Sequence, residues 1–121
     1  MGPILIVDDE FGIVEVLRDF LEDEGYRTAI ALNGRQALDF MATERPVLVL
    51  LDYMMPVMNG GEVLEVMKRT SALRDIPVVL MSASPPRLWQ GLPASLFLLK
   101  PFGLVELIEA VRGAIGRPPR P

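Results

Sequence analysis

The sequence predicts a doubly wound α/β domain, a single five-stranded parallel sheet with helices on both faces. Three observations carry this. Short apolar runs alternate with segments whose apolar residues recur at helical spacing, the signature of repeated strand–helix units. The runs are apolar at nearly every position instead of every second one, which suits strands covered on both faces. And 121 residues make one domain of ordinary size, long enough to bury roughly two-thirds of its unfolded surface.

The elements follow in order. Ile4 to Val7 reads as the first strand, and the helix after it carries Ile13, Val16, Leu17, Phe20 and Leu21 on its apolar face. Gly25 stops that helix, "YRTAIAL" reads as the second strand, and Asn33 is placed to cap a helix with Ala37, Leu38 and Met41 inward. Pro46 opens the third strand, Val47 to Leu51. The helix of that unit lies within Gly61 to Leu73, with Val63, Leu64 and Met67 inward and Glu62, Glu65, Lys68 and Arg69 outward. Pro77 opens the fourth strand, Val78 to Met81; Leu96 to Leu99 makes the fifth, and a closing helix carries Leu104, Leu107, Ile108, Val111 and Ile115.

One unit is irregular. Between the fourth and fifth strands, "SASPPRLWQGLPAS" contains Pro85, Pro86, Gly91 and Pro93, so the fourth of the five helices is expected to be short or irregular, one or two turns within Pro86 to Gln90. The domain is expected to span residues 1–116. Residues 117–121, within "GRPPRP", read as a loose tail or the start of a linker.

Composition narrows the chemistry. There is no cysteine and no histidine, which removes thiolate chemistry, imidazole ligands and the usual general base. A net charge of -4 argues against nucleic-acid binding by this domain, since such binding rests on neutralising phosphates. No apolar stretch approaches the roughly 18 residues needed to cross a bilayer, and "MGPILIVDDE" lacks the basic start of a signal peptide, so no membrane role and a cytoplasmic location are expected.

In an open parallel sheet, ligands bind outside the carboxyl ends of the strands. Asp8, Asp9 and Glu10 follow the first strand, Asp52 the third, Ser82 the fourth and Lys100 the fifth. Three of these acids, a hydroxyl and an amine should therefore face one cleft. Each has a plainer role alone: Asp8 or Asp9 as a helix cap, Ser82 as a turn residue, Lys100 as a surface charge, Asp52 as a turn former ahead of Pro56 and Gly60. Met54, Met55 and Met58 read as packing or a partner surface, and Trp89 as a partial cover for the core or an interface residue. Their common place decides. Carboxylates crowded at about 4 Å repel by about 4 kcal/mol per pair at an effective dielectric near 20, so they call for a counter-ion. Oxygen-only ligands favour a hard cation such as Mg2+, which leaves positions for water and phosphate. Asp52 would attack a phosphoryl group to form an acyl phosphate, Lys100 would neutralise phosphoryl oxygens, and Ser82 would hydrogen-bond one of them.

At this point the chain resembles the receiver domain of bacterial two-component response regulators, including the chemotaxis regulators. The likeness covers residues 3–116 and rests on "ILIVDDE", "LLDYMMPVMNGGEVL", "VVLMSAS" and "FLLKPF", in that order. It implies a flavodoxin-like strand order, 2-1-3-4-5. By residue, it implies Asp52 as phosphoacceptor, Asp9 as the main acidic Mg2+ ligand with Asp8 beside it, and the backbone carbonyl of Met54 as a third ligand. It further implies Ser82 as the switch hydroxyl, Phe97 as the switch aromatic, Lys100 as the phosphate-binding lysine and a cis bond between Lys100 and Pro101.

The partners implied are a sensor histidine kinase or histidine phosphotransfer protein as donor, and a downstream protein or output domain as recipient of the signal. Such domains assist their own phosphorylation and dephosphorylation and are not enzymes acting on an external substrate. The segment from Ser82 to Lys100 is shorter than is usual for the family. That leaves a second reading, a divergent receiver acting as a phosphorylation-independent binding module. A hydrolase of the haloacid dehalogenase type is expected to carry an acid two residues after the nucleophile, where this chain has Met54. A flavin site is opposed by the acid cluster and by the lack of a Ser/Thr/Gly-rich phosphate loop.

Overall fold

A computed structural model describes residues 2–118. The part of the expected tail at 119–121 therefore lies outside the described residues, as does Met1. Five strands, β1 (Ile4–Val7), β2 (Thr28–Ala31), β3 (Leu48–Asp52), β4 (Val78–Ser82) and β5 (Leu96–Leu99), form one sheet in the order β2-β1-β3-β4-β5, with every pairing parallel. Four helices accompany them: α1 (Phe11–Asp23), α2 (Gly34–Met41), α3 (Gly60–Arg69) and the closing α4 (Leu104–Ile115). Between β4 and β5 there is no such helix. A single 3₁₀ turn, Pro86–Leu88, stands in its place, the irregularity expected from the prolines.

The pleat sorts the strand residues into two cores. Leu5 and Val7, Val49 and Leu51, and Val78 and Leu80 face α2 and α3, meeting Ala37, Met41, Val63, Leu64 and Met67. Ile4 and Ile6, Leu48 and Leu50, and Val79 and Met81 face the other way, toward Val14, Leu17 and Leu21 of α1 and Leu107, Ile108 and Val111 of α4. The central strands β1, β3 and β4 are buried at every position, as continuous apolar runs require when both faces are covered. Local signals start the helices. Asn33 caps α2 by accepting from Gln36 N–H, and Asn59 forms a capping box with Glu62 at α3.

Three expectations need correction. Val16 is 57% exposed and Leu104 43% exposed, although the helical spacing places both inward. The buried stripe of α1 runs Val14–Leu17–Leu21, and Val16 lies about 100° from Leu17 around the helix; Leu104 begins α4 beyond the packed face. The fifth strand is not covered on both faces. Only Leu98 is buried in β5, while Leu96 and Leu99 are exposed, because β5 is an edge strand and the segment before it supplies one turn instead of a helix. The third helix also ends sooner than the apolar pattern suggests, at Arg69, where the Thr70 hydroxyl donates to Val66 O.

The register brings the strand ends level. Val7 pairs with both Ala31 and Leu51, Asp52 with Met81, and Ser82 with Leu99. The next backbone bonds continue the ladder: Asp8 N–H donates to Ala31 O, Tyr53 N–H to Met81 O and Lys100 N–H to Ser82 O. Asp8, Asp52, Ser82 and Lys100 thus share one edge of the sheet.

Candidate functional site

Asp8 and Asp52 emerge from adjacent strands and are both buried, with Asp9 exposed beside them. Oxygens from these three carboxylates lie within 4.8 Å of one another. Lys100 reaches across from the end of β5, its Nζ 2.8 Å from Asp8 Oδ2 and 3.2 Å from Asp52 Oδ1. The other Asp8 oxygen accepts from Glu10 N–H at 3.1 Å, so Asp8 is fixed at both ends. It does not cap α1 in the usual sense; Glu10 holds the cap position with no side-chain bond.

Burial and the neighbouring Asp8 charge push the Asp52 pKa up to about 6, against the opposing pull of Lys100. Asp52 is ionised at neutral pH but holds its proton more tightly than an ordinary carboxylate. For Lys100, burial favours the neutral form, yet the hydrogen bond to Asp8 and the charges of Asp52 and Asp8 outweigh it and raise its pKa. The ammonium is therefore secure.

The loop after β3 explains how Asp52 is held. A Cβ on Gly60 would come within 2.7 Å of Asp52 O and 2.9 Å of Tyr53 Cα, so only glycine lets α3 begin this close to the strand end. Gly60 N–H donates to Tyr53 O at 2.9 Å, closing the loop. At its tip Met58 N–H donates to Pro56 O, a γ-turn around Val57, which has φ 70 and is 96% exposed. Met54, two residues beyond Asp52, has an exposed side chain, while Met55 is buried and Met58 packs against the core.

Ser82 is fully buried at the end of β4, but its hydroxyl is engaged within its own loop: it accepts from Ser84 N–H at 3.0 Å and shares a hydrogen bond with the Ser84 hydroxyl. Phe97 is half-buried, its ring 5.5 Å from that of Trp89. Trp89 is buried and donates its indole N–H to Ser84 O at 2.9 Å. The Lys100–Pro101 bond is cis. Beside Lys100 an apolar groove of about 510 Å³ opens between α1 and the start of α4, lined by Ile13, Val16, Leu17, Pro101, Phe102 and Leu104.

The sequence reading of Trp89 as cover for the core agrees with its burial, but the parts played by Gly60 and Ser84 and the indole's hydrogen bond were missed. A serine hydroxyl that accepts from the backbone N–H two residues on is a familiar way to bond a turn, so Ser82 carried a signal for its bond to Ser84; the Trp89 contact did not, because it spans an aperiodic proline-rich segment.

The model of the response regulator receiver domain family matches residues 4–112. The chain belongs to that family. Among curated relatives, this receiver is 42% identical over 113 residues to sporulation initiation phosphotransferase F of Bacillus subtilis, with 90% of each chain covered. It is 39% identical over 118 residues to response regulator MprA of Mycolicibacterium vanbaalenii, covering 94% of this chain and 50% of that one, so it spans about half the length of such relatives. The receiver also superposes on the response regulator TrrA of Thermotoga maritima, solved in complex with Mg2+ and BeF, with a TM-score of 0.84 and 33% identity, covering 94% of this chain and 99% of that one. It is thus a receiver of two-component signalling, with the strand order of that fold. Among the described residues, no helix is long and apolar enough to cross a membrane.

Proposed function

We propose that the chain accepts a phosphoryl group on Asp52 from a phosphohistidine of a sensor kinase or phosphotransfer protein and passes the change on by protein contact. The observation that carries this is the position of Lys100, one ammonium against both buried carboxylates, with Asp9 completing the cluster. Asp52 Oδ forms the new bond to phosphorus as the P–N bond breaks, and the leaving electron pair stays on the donor imidazole. Ionised Asp52 is the nucleophile. Lys100 neutralises negative charge on the phosphoryl oxygens, and the Ser82 hydroxyl lies at the adjoining strand end to hydrogen-bond one of them.

The donor set fits Mg2+. Three carboxylates opposed by one lysine leave an excess of negative charge, every side-chain donor is an oxygen, and such a set suits a hard cation. Asp9 and Asp8, Asp52 itself and the Met54 carbonyl are the groups proposed to hold it. When bound, the ion supplies charge neutralisation for carboxylates and phosphoryl oxygens together. The chain turns over no external substrate in this reading; its residues assist only the gain and loss of its own phosphoryl group. The groove beside Lys100 is apolar and open, suited to a donor protein's helix face. The recipient is a downstream protein or an output domain. With net charge -4, the domain itself has no call on nucleic acid, and its proposed place is the cytoplasm, where such donors act.

Incubation with acetyl phosphate and Mg2+ is the test. One added phosphate by mass, absent in Asp52→Asn, is expected. An adduct that survives Asp52→Asn would remove Asp52 from this role. An intact protein that binds neither acetyl phosphate nor beryllofluoride would favour the phosphorylation-independent binding module, the reading that rests on the single turn standing in place of a helix between β4 and β5.

A further inference from the structure

The chain contains seven methionines and no cysteine, so an oxidant that attacks sulfur here must attack a thioether. Burial leaves few of them within reach. Met41, Met55, Met67 and Met81 are buried, and among the described residues only Met54 and Met58 are not. Both lie in the loop that joins Asp52 to α3.

The two are placed differently. Met54 is 59% exposed, so an oxygen added to its sulfur meets water. Met58 is half-buried and packs against the core shared with α2 and α3. It immediately precedes Asn59, the cap of α3, and Val63 stands four residues after that cap. An apolar pair at these positions is a hydrophobic staple, which fixes the angle at which a chain enters its helix. The staple closes on Gly34 at the start of α2. A Cβ on that glycine would lie 2.7 Å from Val63 Cγ2, 2.9 Å from Met58 Cγ and 3.0 Å from Met58 Sδ. The loop it anchors is tight: Met58 N–H donates to Pro56 O, and Gly60 N–H to Tyr53 O beside Asp52.

An oxygen on Met58 Sδ has two places to go. Directed at Gly34, it meets backbone with no room to spare. Directed at water, it draws the sulfur out of its packing with Gly34 and Val63. The staple opens either way, because a sulfoxide is polar and larger than the thioether it replaces.

We propose that Met58 is an oxidation site through which peroxide slows phosphoryl uptake, the oxidised side chain releasing the loop that runs from Asp52 into α3. One peroxide oxygen is transferred to Sδ as the O–O bond breaks; the thioether is oxidised to a sulfoxide and hydrogen peroxide is reduced to water. The effect on uptake rests on Asp52 as the phosphoacceptor, whereas the site and the opening of the staple do not.

The full chain, before and after hydrogen peroxide, is followed by mass mapping, amide hydrogen exchange, and uptake from acetyl phosphate with Mg2+. One oxygen each on Met54 and Met58 is expected, with the four buried methionines unchanged. Exchange at the Glu62 and Val63 amides, both bonded to Asn59, should quicken roughly threefold or more, the scale of losing one local anchor at a helix start. Uptake should slow by a similar factor. Each protein is compared with itself before treatment. Met58→Leu keeps an apolar staple without its sulfur and should show neither change, although Met54 is still oxidised. Methionine sulfoxide reductases with a thiol reductant should restore the wild type. A Met58 that stays unoxidised, or an oxidised Met58 with unchanged exchange, overturns the proposal. Equal effects in wild type and Met58→Leu, or a loss that no reductase reverses, overturn it as well. Quickened exchange with unchanged uptake overturns the control of phosphorylation. An untreated protein that takes no phosphate overturns the acceptor reading instead, and exchange still decides whether oxidation opens the staple.

Discussion

Lys100 Nζ lies 2.8 Å from Asp8 Oδ2, and Asp8 is wholly buried. Removing the lysine would leave a buried carboxylate with one backbone N–H and no counter-charge. Lys100→Met is expected to cost about 3–5 kcal/mol in urea unfolding. The double variant Asp8→Asn/Lys100→Met should recover at least half of that loss. Equal loss in the single and double variants would mean that the pair is not what stabilises this edge.

Asp52 carries the opposite sign. Its pKa in the fold is about 6, above the ordinary 3.8, so the folded state binds the proton more tightly than the unfolded chain does. This contribution to stability is fully present below about pH 4 and is lost as pH rises through 6. Above that, the buried charge costs roughly 3 kcal/mol. Asp52→Asn should therefore be more stable than wild type by about 1–3 kcal/mol at pH 7.5, a gain in Tm of several degrees that vanishes near pH 4. A constant difference across that range would refute the assignment of the shift to Asp52.

Mg2+ and Asp52→Asn relieve the same repulsion, so their stabilising effects should not add. In the wild type, Mg2+ at about a hundredfold excess over its Kd should add about 2.7 kcal/mol in thermal melts at fixed ionic strength. Asp52→Asn and Asp9→Asn should each lose most of that gain. If all three proteins respond alike, the ion binds elsewhere.

Gly60 admits no side chain, because both atoms nearest its virtual Cβ belong to backbone, Asp52 O and Tyr53 Cα. Gly60→Ala should cost about 2–3 kcal/mol. Since the clash falls on the Asp52 peptide itself, the acetyl phosphate reaction should slow as well, at temperatures where the variant is still fully folded.

Val57 holds a positive φ that β-branched residues rarely adopt, while its side chain is almost fully in water. Strain of this kind costs roughly 1–3 kcal/mol and no packing offsets it. Val57→Asn should raise Tm by a few degrees, or about 1 kcal/mol. A loss would show that the valine side chain makes contacts that its exposure denies.

Apolar runs broken by charge mark strand ends sharply, which is why the sequence alone can set Asp8, Asp52, Ser82 and Lys100 at one edge of the sheet. Parallel order makes those ends coincide. Depth is harder to read, because periodicity fixes which residues share a stripe but not where the stripe's centre lies. Val16 and Leu104 fit the helical pattern and still face outward. The β5 error has a different origin: "LFLL" looks like a central strand, but β5 is the edge strand, which leaves Leu96 exposed on the α1 and α4 face, and Leu99 lies on the other face, where the segment before β5 supplies one turn instead of a helix. The bond from Trp89 to Ser84 depends on how an aperiodic segment folds back, and no local pattern encodes that.

The level strand ends have a temporal consequence. Asp8 and Lys100 are 92 positions apart, and the strand that delivers the lysine is the last to be synthesised. A nascent chain that has left the ribosome only as far as β4 contains Asp52 but not the ammonium that would neutralise what lands there. On the phosphoacceptor reading, competence therefore arrives only with β5.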